Sequence, residues 1–155
     1  MAETTLPPWT PTQEKIGSIA VRWMTRINKW LFVLTDGKIG GTFRGGAPVC
    51  LVTTIGRKSG EPRTVALLYL EDGRDVVLVA SKGGMSHHPM WYLNMQVHPE
   101  VEVQIGSEKR SMLGRIATDE ERAALWPKLT AMYPDYDSYQ QRTTRKIPVL
   151  ICSPR

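Results

Sequence analysis

Three cationic side chains surround one short turn between two strand-like segments of the chain. In the stretch TTIGRKSGEPRTVALLYL, the turn and its neighbours include Gly56, Arg57, Lys58, Ser59, Gly60, Glu61 and Arg63. The glycines permit a tight turn, and backbone N–H groups that converge in such turns bind anions. Arginine and lysine add charge and directed hydrogen bonds to the same ligand. The stretch therefore predicts a binding site for a molecule with several negative charges.

A second loop repeats this composition at the end of a later strand-like segment. The sequence SKGG at 81–84 offers one more cation, Lys82, beside two glycines. If the strands are neighbours, Lys82 joins Arg57, Lys58 and Arg63 around one polyanionic ligand. Scattered, solvated cations at hairpin tips are the alternative interpretation. Neither loop matches a phosphate-binding P-loop or a dinucleotide fingerprint, so these motifs do not decide between the two.

Two segments carry aromatic side chains that can form the wall of a pocket. The segment HHPMWYLN begins a short helix that contains Met90, Trp91 and Tyr92. The segment MYPDYDSYQQRT contains Tyr133, Tyr136 and Tyr139. In a helix, three-residue steps place phenols along one side. A core stripe is one explanation, but Pro134 and the flanking aspartates favour a hydroxyl-rich wall beside a pocket. His87 and His88 show no metal-ligand spacing and are interpreted as surface or capping residues.

Six short strand-like segments must position these residues. They lie at 48–55, 63–70, 76–81, 101–105, 111–117 and 147–152, and turn signals between several of them indicate hairpins. One short helix is predicted to begin near Pro89, and Thr118 opens another with a capping box. The pattern predicts an α+β fold: an antiparallel β-barrel with short helices on its outside or across one mouth.

The N-terminal region is predicted to be a flexible arm at 1–10 followed by one amphipathic helix at 11–35. Apolar residues, including Trp23 and Trp30, recur at three- and four-residue steps. Four cations lie on the adjacent stripe: Lys15, Arg22, Arg26 and Lys29. Peripheral contact with an anionic membrane surface is one explanation. Packing of the apolar face on the rest of a single domain, 11–155, is the other.

Composition indicates which kind of partner the protein binds and in which cellular compartment it is expected. The chain has 155 residues and a formal net charge of +5, which favours an anionic partner. Cys50 and Cys152 lie in apolar runs and are expected to be buried, reduced thiols. We find neither a signal-peptide pattern nor an apolar run approaching about 18 residues. A cytoplasmic protein is therefore expected, with peripheral contact at the inner face of the cell membrane as the membrane alternative.

Several motifs together resemble one known family. They are GGTFRGGAPVCLVTTIGRKSGEPRT, LVASKGGMSHHPMWYLN, HPEVEVQIG and ATDEERAALWPKLTAMYPDYDSYQQRTTRKIPVLIC. In this order they resemble the actinobacterial deazaflavin-dependent nitroreductases, in particular the mycobacterial member that activates nitroimidazole prodrugs. The resemblance implies a split β-barrel similar to those of flavin reductases and pyridoxamine oxidases. It also implies coenzyme F420, an 8-hydroxy-5-deazaflavin, as the cofactor instead of FMN, and no metal.

The resemblance also implies a set of site residues. The cofactor-binding set is Arg57, Lys58, Ser59, Arg63, Thr64, Val65, Ala66, Leu67, Leu68, Val79, Ala80, Ser81, Lys82, Met90, Trp91, Tyr92, Leu93, Asn94 and Tyr136. The residues expected to bind the acceptor or to donate to it are Ser81, Tyr133 and Tyr136, with Tyr139 as a gating or packing neighbour. Leu68 is a departure, because the prodrug-activating member has a tyrosine there.

The implied activity is hydride transfer from the reduced deazaflavin to quinones of the menaquinone type, and opportunistically to nitro compounds. Two alternatives keep the basic barrel but change the ligand. An FMN-dependent oxidoreductase needs fewer cations, since FMN carries one phosphate. A non-enzymatic barrel that binds single-stranded nucleic acid needs exposed aromatics on its strands, and Tyr69 is the one clear example here. The sequence leaves the natural acceptor, the proton donor and the oligomeric state undetermined.

Overall fold

The computed structural model describes residues 6–155, in which six antiparallel strands close into a barrel. The strands, including a short one before the barrel, are β1 (Thr42–Phe43), β2 (Ala47–Ile55), β3 (Pro62–Asp72), β4 (Asp75–Val79), β5 (Glu100–Ile105), β6 (Glu108–Ile116) and β7 (Val149–Pro154). The helices are α1 (Pro11–Leu34), α2 (Met90–Val97), α3 (Asp119–Met132) and α4 (Asp135–Arg142). Two 3-10 turns, Arg44–Gly46 and Lys82–Gly84, complete the chain.

The barrel closes because β2 pairs with both β3 and β5. The strand order is β2-β3-β4-β7-β6-β5, and the β2–β5 pairing returns to the start. Alternate residues point inward, as a strand's two-residue period requires. Cys50 and Val52 of β2, which face Leu67 and Val65 of β3, belong to the interior core. Trp91, Tyr92 and Met95 of α2 complete that core.

A second core forms outside the barrel, where α3 and α4 cover β4 and β7. Leu125 and Leu129 of α3 pack with Val77 and Val79 of β4, and with Ile151 of β7. The three tyrosines near the start of α4 belong to the same cluster. The predicted capping box of α3 is confirmed, because Glu121 N–H donates to the Thr118 hydroxyl and the Glu121 carboxylate accepts from Thr118 N–H.

The predicted fold class and all six barrel strands are confirmed, with shifts of a few residues at their ends. The third strand is shorter than predicted, since β4 ends at Val79 and leaves Ser81 in the following loop. The two-residue β1 was not predicted, because it is too short to show periodicity. The division into an arm at 1–10 and a single domain at 11–155 stays a prediction, and residues 1–5 lie outside the described residues.

Helix α1 turns its apolar face away from the barrel, so the prediction that this face packs on the domain is wrong. The side chains toward the barrel, at steps of three, four and seven residues, are Glu14, Ser18, Thr25, Asn28 and Phe32. The outward apolar residues include Ile16, Ile19, Trp23, Ile27, Trp30 and Leu34, with 61% of Trp23 and 63% of Trp30 exposed. None of the helices within residues 6–155 is long and apolar enough to cross a membrane.

Both cysteines are buried free thiols, as predicted. Cys50 and Cys152 point into the barrel core. Burial raises the pKa of Cys152 to about 12 and raises that of Cys50 as well, because the interior penalises a thiolate. These thiols therefore fill core volume and stay un-ionised at neutral pH.

Candidate functional site

The turn between β2 and β3 is closed by its own backbone. Gly56 N–H donates to the Glu61 carbonyl at 2.8 Å, and Gly60 N–H donates to the Gly56 carbonyl at 2.7 Å. Gly60 has a φ of +71°, which glycine adopts without strain. Because these two amides are used inside the turn, they do not converge on an external anion as the sequence suggested. The glycine amides therefore do not form the anion site, and the cationic side chains around the turn stay the candidates for it.

Helix α2 positions this turn through a buried amide. The Asn94 Oδ1 atom accepts from Arg57 N–H at 3.1 Å and from Arg57 Nη1 at 3.4 Å. Its Nδ2 donates to the buried Thr54 hydroxyl at 3.2 Å. Asn94 is 5% exposed, so both ends of its amide are used within the protein. Its role is to position Arg57, while Lys58 and Arg63 extend into solvent and Arg63 pairs with Glu61 at 3.3 Å.

The rest of α2 divides into a buried and an open side. Trp91 and Tyr92 lie in the barrel core, and Met90 is 58% exposed. Leu93 is half-buried. On the open side, Met90 and Leu93 are free to border a ligand. The contribution of Trp91 and Tyr92 to the cofactor site stays a prediction.

Residues 80–88, hereafter the Lys82 loop, are held by one arginine that the sequence did not reveal. The Arg145 guanidinium donates to the carbonyl oxygens of Ala80 at 3.2 Å, Ser81 at 2.7 Å and Met85 at 2.9 Å. It also lies 3.2 Å from His88 Nδ1. In the sequence, Arg145 is only one cation among several before the last strand, so no local pattern marks it.

The N-terminal segment also contacts the Lys82 loop. Trp9 Nε1 donates to the Gly83 carbonyl at 2.7 Å. Glu14 accepts from the Ser86 N–H at 2.7 Å and from its hydroxyl at 3.0 Å. These bonds, led by the one from the Ser86 backbone, lower the pKa of the Glu14 carboxyl. No local pattern connects residues 9 and 14 with this loop, because more than 70 positions separate them from their partners.

Lys82 itself is turned toward His87. Its backbone has a φ of +45°, and Nζ lies 2.6 Å from His87 Nε2. Partial burial lowers the pKa of Lys82, because desolvation disfavours the charged amine. Next to it, Gly84 has a φ of +76°, and a Cβ there would meet the Tyr139 carbonyl oxygen at 2.5 Å. Glycine at 84 therefore permits the close approach of the loop to α4.

The three tyrosines meet in space, although they do not share one helix. Tyr133 ends α3, while Tyr136 and Tyr139 belong to α4. The hydroxyls of Tyr133 and Tyr139 lie 3.0 Å apart, and the rings of Tyr133 and Tyr136 meet edge to face at 5.1 Å. Tyr133 and Tyr136 are buried, and Tyr139 is half-buried. Burial is the main cause that raises the pKa of both Tyr133 and Tyr136.

Strand β3 connects the cationic turn to the tyrosines. Arg63 lies at the turn end of the strand. Leu68 lies five residues further along the strand and packs against the cluster that contains Tyr133 and Tyr136. Between them, Thr64 and Ala66 alternate with Val65 and Leu67, which pack inward. Five strand steps cover about 17 Å. The outer face of β3, formed by Thr64, Ala66 and Leu68, is therefore a half-buried track that leads from the cationic turn to the tyrosines, while Arg63 falls on the alternate side of the strand with Val65 and Leu67.

Helix α2 brings the Lys82 loop toward the same turn. Pro89 follows the loop directly and precedes Met90, the first residue of α2. Asn94, four residues after Met90, contacts Arg57. Four helical residues rise by about 6 Å. The short helix α2 therefore links the loop to the turn along the chain, while the convergence of Lys82 with Arg57, Lys58 and Arg63 on one ligand stays a prediction. A groove of about 700 Å³ between residues 6–14 and α4 is also lined by Gly84 and Ser86 of the Lys82 loop, and it contains none of the predicted site residues.

Comparison with known proteins identifies the family. The family model for F420H(2)-dependent quinone reductases matches residues 23–154. Rv3178 of Mycobacterium tuberculosis, which carries the name of that family, is 41% identical over 118 residues, covering 76% of this chain and 99% of that protein.

Solved structures agree with this result. The F420-H2 dependent reductase FDR-A is 41% identical, with a TM-score of 0.64, over 68% of this chain and 94% of its own. A structure described as a domain-swapped dimer is 36% identical, with a TM-score of 0.67, over 85% of this chain and 98% of its own. A Listeria innocua protein of the pyridoxamine 5'-phosphate oxidase type is 13% identical with a TM-score of 0.51, over 83% of this chain and 94% of its own, and shows the fold alone. Because the family model covers nearly the whole barrel, the chain belongs to the F420H(2)-dependent quinone reductase family of oxidoreductases, whose cofactor is coenzyme F420.

Proposed function

We propose that the protein transfers a hydride from reduced coenzyme F420 to quinones of the menaquinone type, and opportunistically to nitro compounds. The observation that carries the proposal is the track along β3, with Arg63 near the cationic turn and Leu68 beside the tyrosines. A ligand with a ring at one end and an anionic chain at the other suits this track. Coenzyme F420 has such a form: a deazaflavin ring followed by a phosphate, a lactyl carboxylate and an oligoglutamate tail.

The residues present fit the charged part of this cofactor. Arg57, Lys58 and Arg63 lie around one turn, where Lys58 and Arg63 are exposed and Arg57 is half-buried. Lys82 is a fourth cation on the loop that leads to α2. Several anionic groups on one ligand use all four charges, whereas the single phosphate of FMN does not. The number of cations therefore favours F420 over FMN, and Ser59 adds a hydroxyl to the same turn.

The tyrosines are suited to hold the acceptor. When bound, the reduced deazaflavin supplies the hydride, and the protein supplies position and electrostatics. Charge that develops on the acceptor oxygen needs hydrogen-bond donors, which the hydroxyls of Tyr133 and Tyr136 can be, because a phenol is protonated at neutral pH and burial raises the pKa of both further. We assign acceptor binding to Ser81, Tyr133 and Tyr136. The hydroxyl of Tyr139 is hydrogen-bonded to that of Tyr133. Because Tyr139 is half-buried and therefore partly in contact with solvent, it can pass a proton to Tyr133 after Tyr133 has donated one to the acceptor.

The proposal is tested by titrating the protein with coenzyme F420 and, separately, with FMN, and then mixing the reduced complex with menadione in a stopped-flow instrument. We expect F420 binding near micromolar, about −8 kcal/mol, followed by rapid oxidation. Binding without oxidation by any quinone would remove the proposed acceptor class. Tighter binding of FMN than of F420 would favour the alternative cofactor.

We also propose that α1 places the protein, in the cytoplasm, against the anionic inner face of the cell membrane. Its apolar face is outward, and Lys15, Arg22 and Arg26 are exposed on the same helix. Apolar side chains that enter the interface, flanked by cations that meet anionic headgroups, are typical of helices that lie on a membrane. This location would bring the enzyme to a membrane-dissolved quinone.

Vesicle flotation tests this location. Vesicles with about 30% anionic lipid should bind the protein, and Trp23→Gln/Trp30→Gln should abolish binding while F420 affinity is kept. Leu113→Gln is a matched control, because Leu113 is an exposed apolar residue on β6, away from α1. Light scattering supplies the competing outcome. A dimer that the double substitution dissociates, with no vesicle binding, would make α1 a self-association surface instead.

A further inference from the structure

The side chains of Glu14, His87 and Lys82 form a chain of contacts at the end of the Lys82 loop. His87 Nε2 lies 2.6 Å from Lys82 Nζ, and His87 Nδ1 lies 3.5 Å from Glu14 Oε2. The Ser86 hydroxyl is 3.4 Å from the same Nδ1 atom. His87 and Ser86 are exposed, so a ligand in solution can reach the histidine. This arrangement occupies the amine that is expected to bind the anionic cofactor.

The hydrogen-bonding roles follow from the chemistry of the two side chains. A lysine ammonium can only donate, so Nε2 of His87 accepts and carries no proton. The proton of the neutral ring then lies on Nδ1, which faces the Glu14 carboxylate and the Ser86 hydroxyl. A second proton on Nε2 would place two cations in direct contact. An anion that separates Lys82 from His87 removes this conflict, since both can then donate to it.

We propose that His87 is a further anion-binding residue and that binding of the cofactor's anionic chain at Lys82 is accompanied by uptake of one proton at His87. This inference rests on the proposed function, because it takes the ligand of Lys82 to be coenzyme F420. Bound ligand and proton favour each other by linkage: the anion draws Lys82 away from Nε2, and the protonated ring contributes a second positive charge. Glu14, on the opposite side of the ring, stabilises that charge.

Charged groups of both signs surround the contact between Lys82 and His87. Glu14 of α1 favours the protonated ring, because its carboxylate is 3.5 Å from Nδ1. Arg22 of α1 and Arg145, which precedes β7, both act on Lys82 and lower its pKa, although burial is the largest cause. His88, the neighbouring residue, is engaged by Arg145 and faces Tyr92. The Lys82 amine, 2.6 Å from Nε2, occupies the place that an added proton would take, so the uptake is coupled to an anion that separates the two side chains.

The direction of the pH dependence follows from the proton count. Where the complex holds one more proton than the free protein and ligand together, the association constant falls about tenfold for each unit that the pH rises. Outside that range it is flat.

Isothermal titration calorimetry with oxidised coenzyme F420 tests the inference. Titrations from about pH 5.5 to 8.5, each in two buffers of different ionisation enthalpy and at constant salt, give both the affinity and the number of protons taken up. Wild type and His87→Gln differ by the proton assigned to His87, whereas protons of the ligand itself are common to both. His98→Gln is the matched control, because His98 caps the far end of α2.

We expect the wild type and His98→Gln to take up as much as about one proton more than His87→Gln when F420 binds. The F420 affinity of His87→Gln should also depend less on pH. Equal proton uptake in wild type and His87→Gln would overturn the inference while leaving F420 binding intact. Failure of F420 to bind at every pH would instead overturn the proposed function, and this inference with it. Thermal unfolding of both variants checks that each is folded.

Discussion

Asn94 holds Arg57 by two hydrogen bonds to one oxygen atom, at 3.1 Å from the backbone nitrogen and 3.4 Å from Nη1. Since Asn94 also donates to the buried Thr54, a single buried amide joins α2, β2 and the cationic turn. The cationic turn is thus positioned by α2, the helix that follows the Lys82 loop in the chain. We therefore infer that Asn94 is a positioning residue for the proposed cofactor site.

Asn94→Ala should lower both stability and F420 affinity. Leaving buried partners without a hydrogen bond costs about 1–3 kcal/mol, which is about 2–12 °C in Tm for a chain of this size. Calorimetric unfolding and F420 titration measure the two effects. Val97→Ala, which shortens an exposed apolar side chain at the end of the same helix, is the control and should change neither by much. Unchanged F420 affinity in Asn94→Ala would show that the turn does not need α2.

Alanine at the cationic turn should weaken F420 binding in a manner that depends on salt. Arg57→Ala and Lys58→Ala each remove one charge from the turn, so the affinity should fall and its decrease with added salt should become less steep. Arg74→Ala, on the exposed β3–β4 hairpin, is the charge-matched control. If Arg74→Ala weakened binding as much as Lys58→Ala, the effect would be general electrostatic attraction and not a site.

Arg145→Lys should loosen the Lys82 loop although it keeps the charge. A lysine cannot reproduce a planar guanidinium that contacts three carbonyl oxygens and one histidine. We expect faster hydrogen exchange in residues 82–88 and roughly tenfold weaker F420 binding, about 1.4 kcal/mol. Lys146→Ala, next in the chain, pairs only with Asp119 among the described residues and serves as control. Exchange in 82–88 that matches the wild type would remove the positioning role of Arg145.

The Tyr133–Tyr139 hydroxyl pair should behave as a coupled unit in turnover. Tyr133→Phe and Tyr139→Phe each break the same 3.0 Å contact, so the double variant should lose less than the sum of the single losses, with a coupling energy of about 1 kcal/mol. Single-turnover oxidation of the reduced protein by menadione measures the cycle. If the losses of the two single variants add up exactly in the double variant, Tyr139 takes no part in the reaction.

Tyr136→Phe should lower turnover more than F420 affinity. Full activity in every tyrosine variant would assign proton donation to water.

Leu68→Tyr should alter the reduction of nitro compounds more than that of quinones. Leu68 packs against the cluster of Tyr133 and Tyr136, so a phenol at 68 adds a hydroxyl to the same wall. Rates with a bicyclic nitroimidazole and with menadione, compared in the same preparation, measure the difference. Leu70→Tyr, two residues along the same side of β3, is the matched control. Equal changes for both acceptors would count against a role for position 68 in acceptor choice.

Much of this protein could be predicted from local patterns. Apolar and β-branched runs separated by turn signals located the six barrel strands, and Thr118 marked the start of α3 through its capping box. These signals are local because strand faces and helix caps depend on neighbours a few residues away. The motifs from 40 to 64 and from 78 to 94 likewise led to the family, which the comparisons confirm.

Only the tertiary structure decided what these elements face and what holds them. Arg145, Trp9 and Glu14 reach the Lys82 loop across 57 to 74 positions, and no periodicity records such distant hydrogen bonds. Glycine amides that looked available to an anion are used within their own turn. The outward turn of α1 could not be deduced either, because a hydrophobic stripe shows that a face is apolar but not what covers it.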